Sequence, residues 1–532
     1  MRIKRSIRSA TLAAVLCAAA ACSSGSDPEA LTTGTDRPLE ISPEDLLART
    51  GGRTAVAIAD PQHGRIEHRA DGTLVYLPDP GYTGADTLTI TTTDAVRRYT
   101  TDIPPLSRFG ETTVQGSGFG SAFTPVPGSP GEFYGLTDRG PNVDGPNKNE
   151  KLTPTPDFVP KIGRFRLSGT RAELKSTIEL KNRAGVPFNG LIDAAASTGE
   201  TIRDLAGNPL APTDHGLDTE GLVALPDGTF WVSDEYGPFL VHFDASGTEL
   251  ERLAPGSGLP EELSLRTPNQ GMEGLTVTPD GNTLVGIVQS GLQTPGVGSA
   301  REVPMTRIVT VDLKTKAVGE FVYPLEDPKR KLAVSEITAL SDTTFVVDER
   351  DGELAPKANK KLWTIDISGA TDVGPRAGVP GAHYDPKLGL LVGGIPLETH
   401  VGTVPTAEGV AALRRAAITP VTKRSNLDLG GLVDGLAPDG GFFGHDKIEG
   451  VATMGGGPEG QGGGNETFGG RTLYIANDSD FGLAGSTGER PPFGLRAKTL
   501  PDGTQDTGEI LEVDTGKLPA RTETTSIAVT VG

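Results

Sequence analysis

Asp218-Thr219-Glu220-Gly221-Leu222, followed by Thr229-Phe230-Trp231-Val232-Ser233-Asp234-Glu235-Tyr236, is a phrase the chain repeats with variations. It returns as Gly271-Met272-Glu273-Gly274-Leu275 with Thr283-Leu284-Val285-Gly286-Ile287-Val288. It returns again as Ser335-Glu336-Ile337 with Thr344-Phe345-Val346-Val347-Asp348-Glu349-Arg350. A further copy is Lys447-Ile448-Glu449-Gly450-Val451 with Thr472-Leu473-Tyr474-Ile475-Ala476-Asn477-Asp478. Each copy reads as an acid beside a small residue, a short apolar strand, a turn, and a second apolar strand ending in polar or acidic residues. Repetition of this kind marks a propeller or a solenoid. In a propeller, equivalent acids from every blade face one axis.

Working outward, the acids set the spacing of the blades. The gap from Glu336 to Glu449 is about twice the others and reads as two blades, with a degenerate one over residues 380–430. Phe133-Tyr134-Gly135-Leu136-Thr137-Asp138 reads as a blade end whose start is Val114-Gln115-Gly116-Ser117-Gly118. The count is six blades, with seven as the alternative, in the usual range for propellers. With 72 Gly and 42 Pro among 532 residues, the composition suits many tight turns, and the fold class is all-β. Helical periodicity is confined to the leader and residues 408–417. Polar insertions occupy 140–160 and 184–217. The Gly-rich stretch 455–470 lacks the Lys-Ser/Thr ending of a phosphate-cradling loop and reads as an excursion.

The N-terminus carries an address. Arg2, Lys4, Arg5 and Arg8 precede an apolar run, Ala10–Ala21, that is too short to span a membrane. Small residues then precede Cys22. Residues 1–22 therefore read as a lipoprotein signal with Cys22 as the lipidation site, and 23–37 as a disordered tether. Lipid on Cys22 predicts anchoring at the extracellular face of the cell membrane. The two cysteines are Cys17 and Cys22, so no thiol chemistry and no disulfide is available to the rest of the chain. A net charge of −20 argues against nucleic acid and favours cations.

Residues 38–104 read as a separate small β-sandwich. Alternating strands flank Asp71-Gly72, a hairpin-type turn. The segment is similar to the cadherin-like, immunoglobulin-type repeats of bacterial surface proteins. Residues 107–530 are assigned to the propeller.

The chemistry lies in the converging acids. Glu220, Glu273, Glu336 and Glu449 occupy one repeat position, and Asp138, Asp348 and Asp478 end later strands. Carboxylates gathered on an axis repel one another unless a cation neutralises them, and hard divalent ions such as Ca²⁺ suit all-oxygen shells. These seven are the candidate metal ligands; backbone capping between blades is the alternative use for the glutamates. Arg139, Arg350 and Lys447 stand beside the acids as candidate substrate-binding groups, or as local counter-charges. Asp234, Glu235 and His445 are candidate catalytic groups for positioning or deprotonating water. His215 is a weaker candidate. No Gly-x-Ser-x-Gly, His-Glu-x-x-His, Walker or dinucleotide pattern occurs.

The ordered series Tyr134–Asn142, Asp218–Leu222, Phe230–Pro238, Gly271–Leu275 with Pro279-Asp280-Gly281, Ser335–Ile337, Val347–Asp351, and Lys447–Val451 with Ala476–Phe481 resembles the phytase-like family, described as having esterase-like activity of phytase. The resemblance covers most of the propeller segment. It implies a secreted or surface propeller with phosphoester hydrolysis. Gln289 and Ser290 depart from the pattern, standing where an acid is expected. The expectation is a Ca²⁺-dependent phosphoester or ester hydrolase acting on a small anionic or ester substrate. A non-catalytic binding or adhesion scaffold for a cell-surface ligand, and a lactonase-like carboxylester hydrolase, are the alternatives.

Overall fold

The computed structural model describes residues 30–196, 199–330, 332–455, 468 and 470–532. The leader, Cys22 and most of the Gly-rich stretch lie outside the described residues. The expected tether is shorter than read: Leu31–Thr33 is already a strand, paired parallel with Val529–Val531.

The chain forms a β-propeller preceded by an immunoglobulin-like sandwich. The propeller is built of five radial sheets rather than six or seven. Their innermost strands are Ala122–Pro125, Thr219–Ala224, Met272–Val277, Ala333–Ala339 and Ile448–Met454. Each packs against two others of the set, and together they close a ring. The ring encloses a channel of about 180 Å³ lined by Thr124, Val223, Thr276, Thr338 and Ala452 among others.

The miscount has a definite cause. The long gap before Glu449 is one blade carrying an insertion. Lys360–Asp366 is the third strand of the Ala333 blade, and Thr422–Asp428 is its fourth. Between them run a small sheet, Ala382–Pro396, and helices Leu397–Val401 and Thr406–Arg415. The segment 380–430 is therefore mostly insertion, not a degenerate blade. The blade ending at Leu136 begins at Gly120-Ser121-Ala122, not at Val114. Insertions 140–160 and 184–217 contribute to a four-stranded sheet of Val143–Asp144, Glu150–Thr153, Thr201–Asp204 and Pro209–Leu210.

The sandwich and the propeller exchange strands. Val96–Thr101, at the end of the sandwich segment, pairs with Glu509–Asp514 as the outer strand of the Ile448 blade. In return, Thr522–Val531 pairs along its length with Gly84–Thr93 inside the sandwich. Ile527, Val529 and Val531 join Ile41, Leu74, Tyr76, Leu88 and Ile90 in the sandwich core. A boundary drawn at 104–107, with 107–530 all propeller, misses this exchange. No helix among the described residues is long and apolar enough to cross a membrane.

The insertion is fixed to the Met272 blade by a buried ion cluster. Arg307 is fully buried; its Nη1 lies 2.7 Å from Glu320, and its Nη2 2.7 Å from Glu398 of the inserted helix. Tyr384 of the insertion donates to Glu262 at 2.7 Å. Removing one partner of such a cluster leaves charge in a dry space. Arg307→Met is expected to cost about 3–5 kcal/mol in equilibrium urea unfolding.

Candidate functional site

In four blades the pairing between the first and second strands slips at the repeated phrase. The slips fall between Thr219 and Leu222, Met272 and Leu275, Val334 and Glu336, and Ile448 and Gly450. The extra residue of such a bulge re-aims a side chain. The glycine after the glutamate is needed for packing: a Cβ on Gly274 would stand 2.4 Å from the Ile337 nitrogen, and one on Gly221 2.5 Å from the Leu275 nitrogen, each in the next blade. Gly450 meets the Phe123 nitrogen in the same way, at 2.7 Å.

These registers define one equivalent position per blade: Ser121, Glu220, Glu273, Ser335 and Glu449. Glu336 is not among them. Its position matches Gly274, one residue later, and its Oε1 accepts the backbone N–H groups of Ile337 at 2.9 Å and Leu275 at 3.2 Å. It braces two blades and lines the channel. Aligning glutamate with glutamate slips this copy by one residue and hides Ser335. The second strands end in a matching set at the same mouth: Asp138, Glu235, Gln289, Arg350 and Asp478.

The mouth has two sectors. In one, Arg350 Nη2 is paired with Glu449 while its Nε donates to Ser335 at 3.0 Å. Lys447 Nζ lies 3.0 Å from Asp478 and 2.6 Å from Asp480. Lys498 continues the network to Asp480, and to Asp446 at 3.0 Å. Arg350 and Lys447 are thus committed to neighbouring acids, which is the counter-charge role rather than an open substrate clamp.

In the other sector, Asp218, Glu220 and Glu235 each bring a carboxylate oxygen within 4.8 Å of the others. Asp218 and Glu235 are buried, and Glu220 is 9% exposed. Burial, then Glu273 and Asp218, push the Glu220 carboxyl well above its usual range. Burial and Asp218 do the same to Glu235. Burial, then Glu235 and Glu449, raise Glu273, which accepts a hydrogen bond from Gln289. Burial, then Asp478 and Asp218, raise Asp138, whose Oδ1 accepts the Gly140 N–H. Neither Glu220, Glu235 nor Glu273 has a basic side chain within ion-pair distance among the described residues. Asp218 Oδ2 is buried and receives no hydrogen bond. Three hard oxygen donors, one of them without a hydrogen bond and facing Arg139 Nη1 at 3.5 Å, fit a divalent cation such as Ca²⁺. Asp218 was not legible as a ligand because the repeat pattern drew attention to the glutamate two residues on.

Three other candidates take structural places. Asp234 Oδ1 accepts the Asp218 N–H at 2.7 Å and Oδ2 accepts the Gly237 N–H, closing the turn that carries Glu235; burial lifts it to about 7. Asp348 sits two residues before Arg350 and the mouth, fully buried with neither oxygen hydrogen-bonded, and burial raises it to about 8. His215, half-exposed, faces Asp214.

His445 has no free nitrogen. Nδ1 lies 2.9 Å from Asp506 and Nε2 3.2 Å from Glu509, both in buried surroundings. Burial alone would lower it, yet the two carboxylates hold it up at about 9. It is a structural imidazolium, not a base facing the mouth. Its stabilisation is complete below the unfolded-chain value near about 6.5 and fades as pH rises through about 9. Relative to His445→Gln, the native chain is expected to lose about 2–3 kcal/mol between about pH 6 and about pH 10 in urea unfolding. Equal slopes for the two proteins would contradict this.

Two family models match the chain. Residues 113–481 match the family model Phytase-like, described as esterase-like activity of phytase. Residues 22–103 match the bacterial Ig domain model. An uncharacterized secreted protein of Arthroderma benhamiae (strain ATCC MYA-4681 / CBS 112371) is 28% identical over 280 residues, 42% of this chain and 54% of that protein. The chain thus spans about half the length of that relative. Among solved structures, a luciferin-regenerating enzyme aligns over 91% of this chain and 97% of its own, at 10% identity and TM-score 0.29. Virginiamycin B lyase from Staphylococcus aureus aligns over 76% and 99%, at 12% identity and TM-score 0.27.

Proposed function

The chain belongs to the phytase-like family, and from that premise we propose that the axial mouth is a divalent-cation-dependent phosphoester hydrolase site. One observation carries the reading: among the described residues Glu220, Glu235 and Glu273 converge without ion-pair partners beside Asp218, which meets Arg139 alone, while the acids opposite are already paired. Asp218, Glu220 and Glu235 would hold the ion, with Glu273 beside them. Ca²⁺, when bound, would supply the positive charge that an anionic ester needs at this acidic mouth.

The residues around it have definite tasks. Asp234 fixes the turn that presents Glu235. Gln289 orients Glu273 by donating to it. Burial and Asp218 hold Glu235 well above the ordinary carboxylate range, so its charged form carries a cost that a bound cation would offset. The substrate class is a small anionic ester. We place the protein outside the cell, held to the membrane by lipid on Cys22. Support for that location is the basic leader with small residues before Cys22 and the secreted relative.

Phosphate release from phytate and p-nitrophenyl phosphate, after EGTA stripping and after Ca²⁺ return, tests the reading. Calcium-restored turnover is expected. Hydrolysis of phenyl acetate or a lactone in its place would move the chemistry to carboxylic esters. The absence of turnover on every substrate and metal would leave a binding scaffold. That second reading is favoured by the engagement of Arg139, Arg350 and Lys447 in ion pairs within the fold.

A further inference from the structure

Arg139 is a poor substrate clamp for reasons of geometry. Its guanidinium is buried and held from several sides: by Tyr236 Oη at 2.5 Å, Asn142 Oδ1 at 3.2 Å and Glu200 at 3.3 Å. It stacks over the Tyr236 ring at 5.3 Å. Its backbone N–H donates to Asp218 Oδ1 at 3.2 Å. Its carbonyl is walled in by Gly190, where a Cβ would stand at 1.8 Å. Nη1 comes to rest 3.5 Å from Asp218 Oδ2, the orphaned oxygen of the carboxylate triad.

We propose that Arg139 is a resident counter-cation that limits how tightly the Asp218–Glu220–Glu235 site holds a divalent ion. The inference rests on the cation-dependent reading above and assigns its regulation. When the site is loaded, Asp218 is shared between two positive charges, the ion and the guanidinium 3.5 Å from its Oδ2. The guanidinium cannot swing away, because Tyr236, Asn142 and Glu200 fix it. Its charge therefore opposes the incoming ion at short range in a poorly solvated setting. Ligand charge count sets calcium affinity in oxygen-donor sites, and Arg139 subtracts one unit from this one. Glu200, which reaches Arg139 from the segment between the first two blades, offsets part of that subtraction. The two residues form a graded control: removing the arginine tightens the site, and removing Glu200 loosens it.

The test is calorimetric titration of the full EGTA-stripped chain with Ca²⁺ at mildly alkaline pH, where protons compete least. Arg139→Gln is expected to bind at least about tenfold more tightly than the native chain. Arg139→Lys, which keeps the charge, is expected to stay within about threefold, and Glu200→Gln to bind several-fold more weakly. Native binding with unchanged or weakened affinity in Arg139→Gln would overturn the counter-cation role and leave the metal site standing. If Arg139→Gln does not fold, Glu200→Gln carries the test alone, and tighter or unchanged binding there overturns the proposal. No calcium binding by the native chain would remove the reading underneath.

Discussion

A chain that stops at Arg521 is expected to lose its N-terminal sandwich while most of the propeller persists. The missing strand, Thr522–Val531, pairs residue by residue with Gly84–Thr93 and shields Leu31–Thr33 on its other side. It also buries Ile527, Val529 and Val531. Burial of three such side chains is worth about 5–8 kcal/mol, before the strand's backbone hydrogen bonds are counted. A small sandwich has little reserve against a loss of that size. Calorimetry should show a low-temperature transition absent from the full chain, and proteolysis should open residues 31–93 first. The reciprocal cut, removing residues 30–101, takes the outer strand from the Ile448 blade and should give insoluble protein. One unshifted melting transition after truncation at Arg521 would mean the strand exchange contributes nothing.

The second large effect is a change of sign. Glu220→Gln combined with Glu235→Gln is expected to stabilise the metal-free protein and to abolish stabilisation by calcium. Both carboxyls are raised by burial and by one another's neighbours. A carboxyl raised in the fold stabilises it fully below the ordinary carboxylate range, and that contribution disappears as pH climbs through the raised value. Glutamine imitates the protonated form at every pH. Above neutrality the double variant should therefore gain about 1–3 kcal/mol over the stripped native chain. Calcium at about a hundred times its dissociation constant should add about 2.7 kcal/mol to the native chain, and nothing to the variant. Thermal melts with EGTA and with Ca²⁺ separate the two effects. A variant less stable than the native chain in EGTA would show that these acids brace the blades instead.

How much of this was written in the sequence depends on distance along the chain. Local periodicity carried the propeller and the sandwich, because alternating strands and Pro-Asp-Gly or Asp71-Gly72 turns act over a few residues. The convergence of Glu220, Glu273 and Glu449 followed from the repeat itself. Blade number did not, because an insertion between the third and fourth strands of one blade mimics a blade in length. Strand exchange was invisible for a different reason: Thr522–Val531 reads like any other edge strand, and its partner lies near the opposite end of the chain. Glu336 failed by one residue, since a bulge lets either Ser335 or Glu336 face the mouth and only the packing of Gly274 against Ile337 decides which. His445 looked catalytic beside Asp446 and Glu449, yet its partners, Asp506 and Glu509, come from the far side of the same blade. Gln289, read as a gap in the acidic series, is a hydrogen-bond donor that orients Glu273.

The Asp218–Glu220–Glu235 sector is the proposed cation site, and anomalous scattering from crystals grown with Mn²⁺ or Tb³⁺ in place of Ca²⁺ tests it most directly. The expected result is a single strong peak within coordination distance of Asp218, Glu220 and Glu235. A peak beside Glu449 and Asp478 with none at the triad, or no peak near the axis at all, would contradict it.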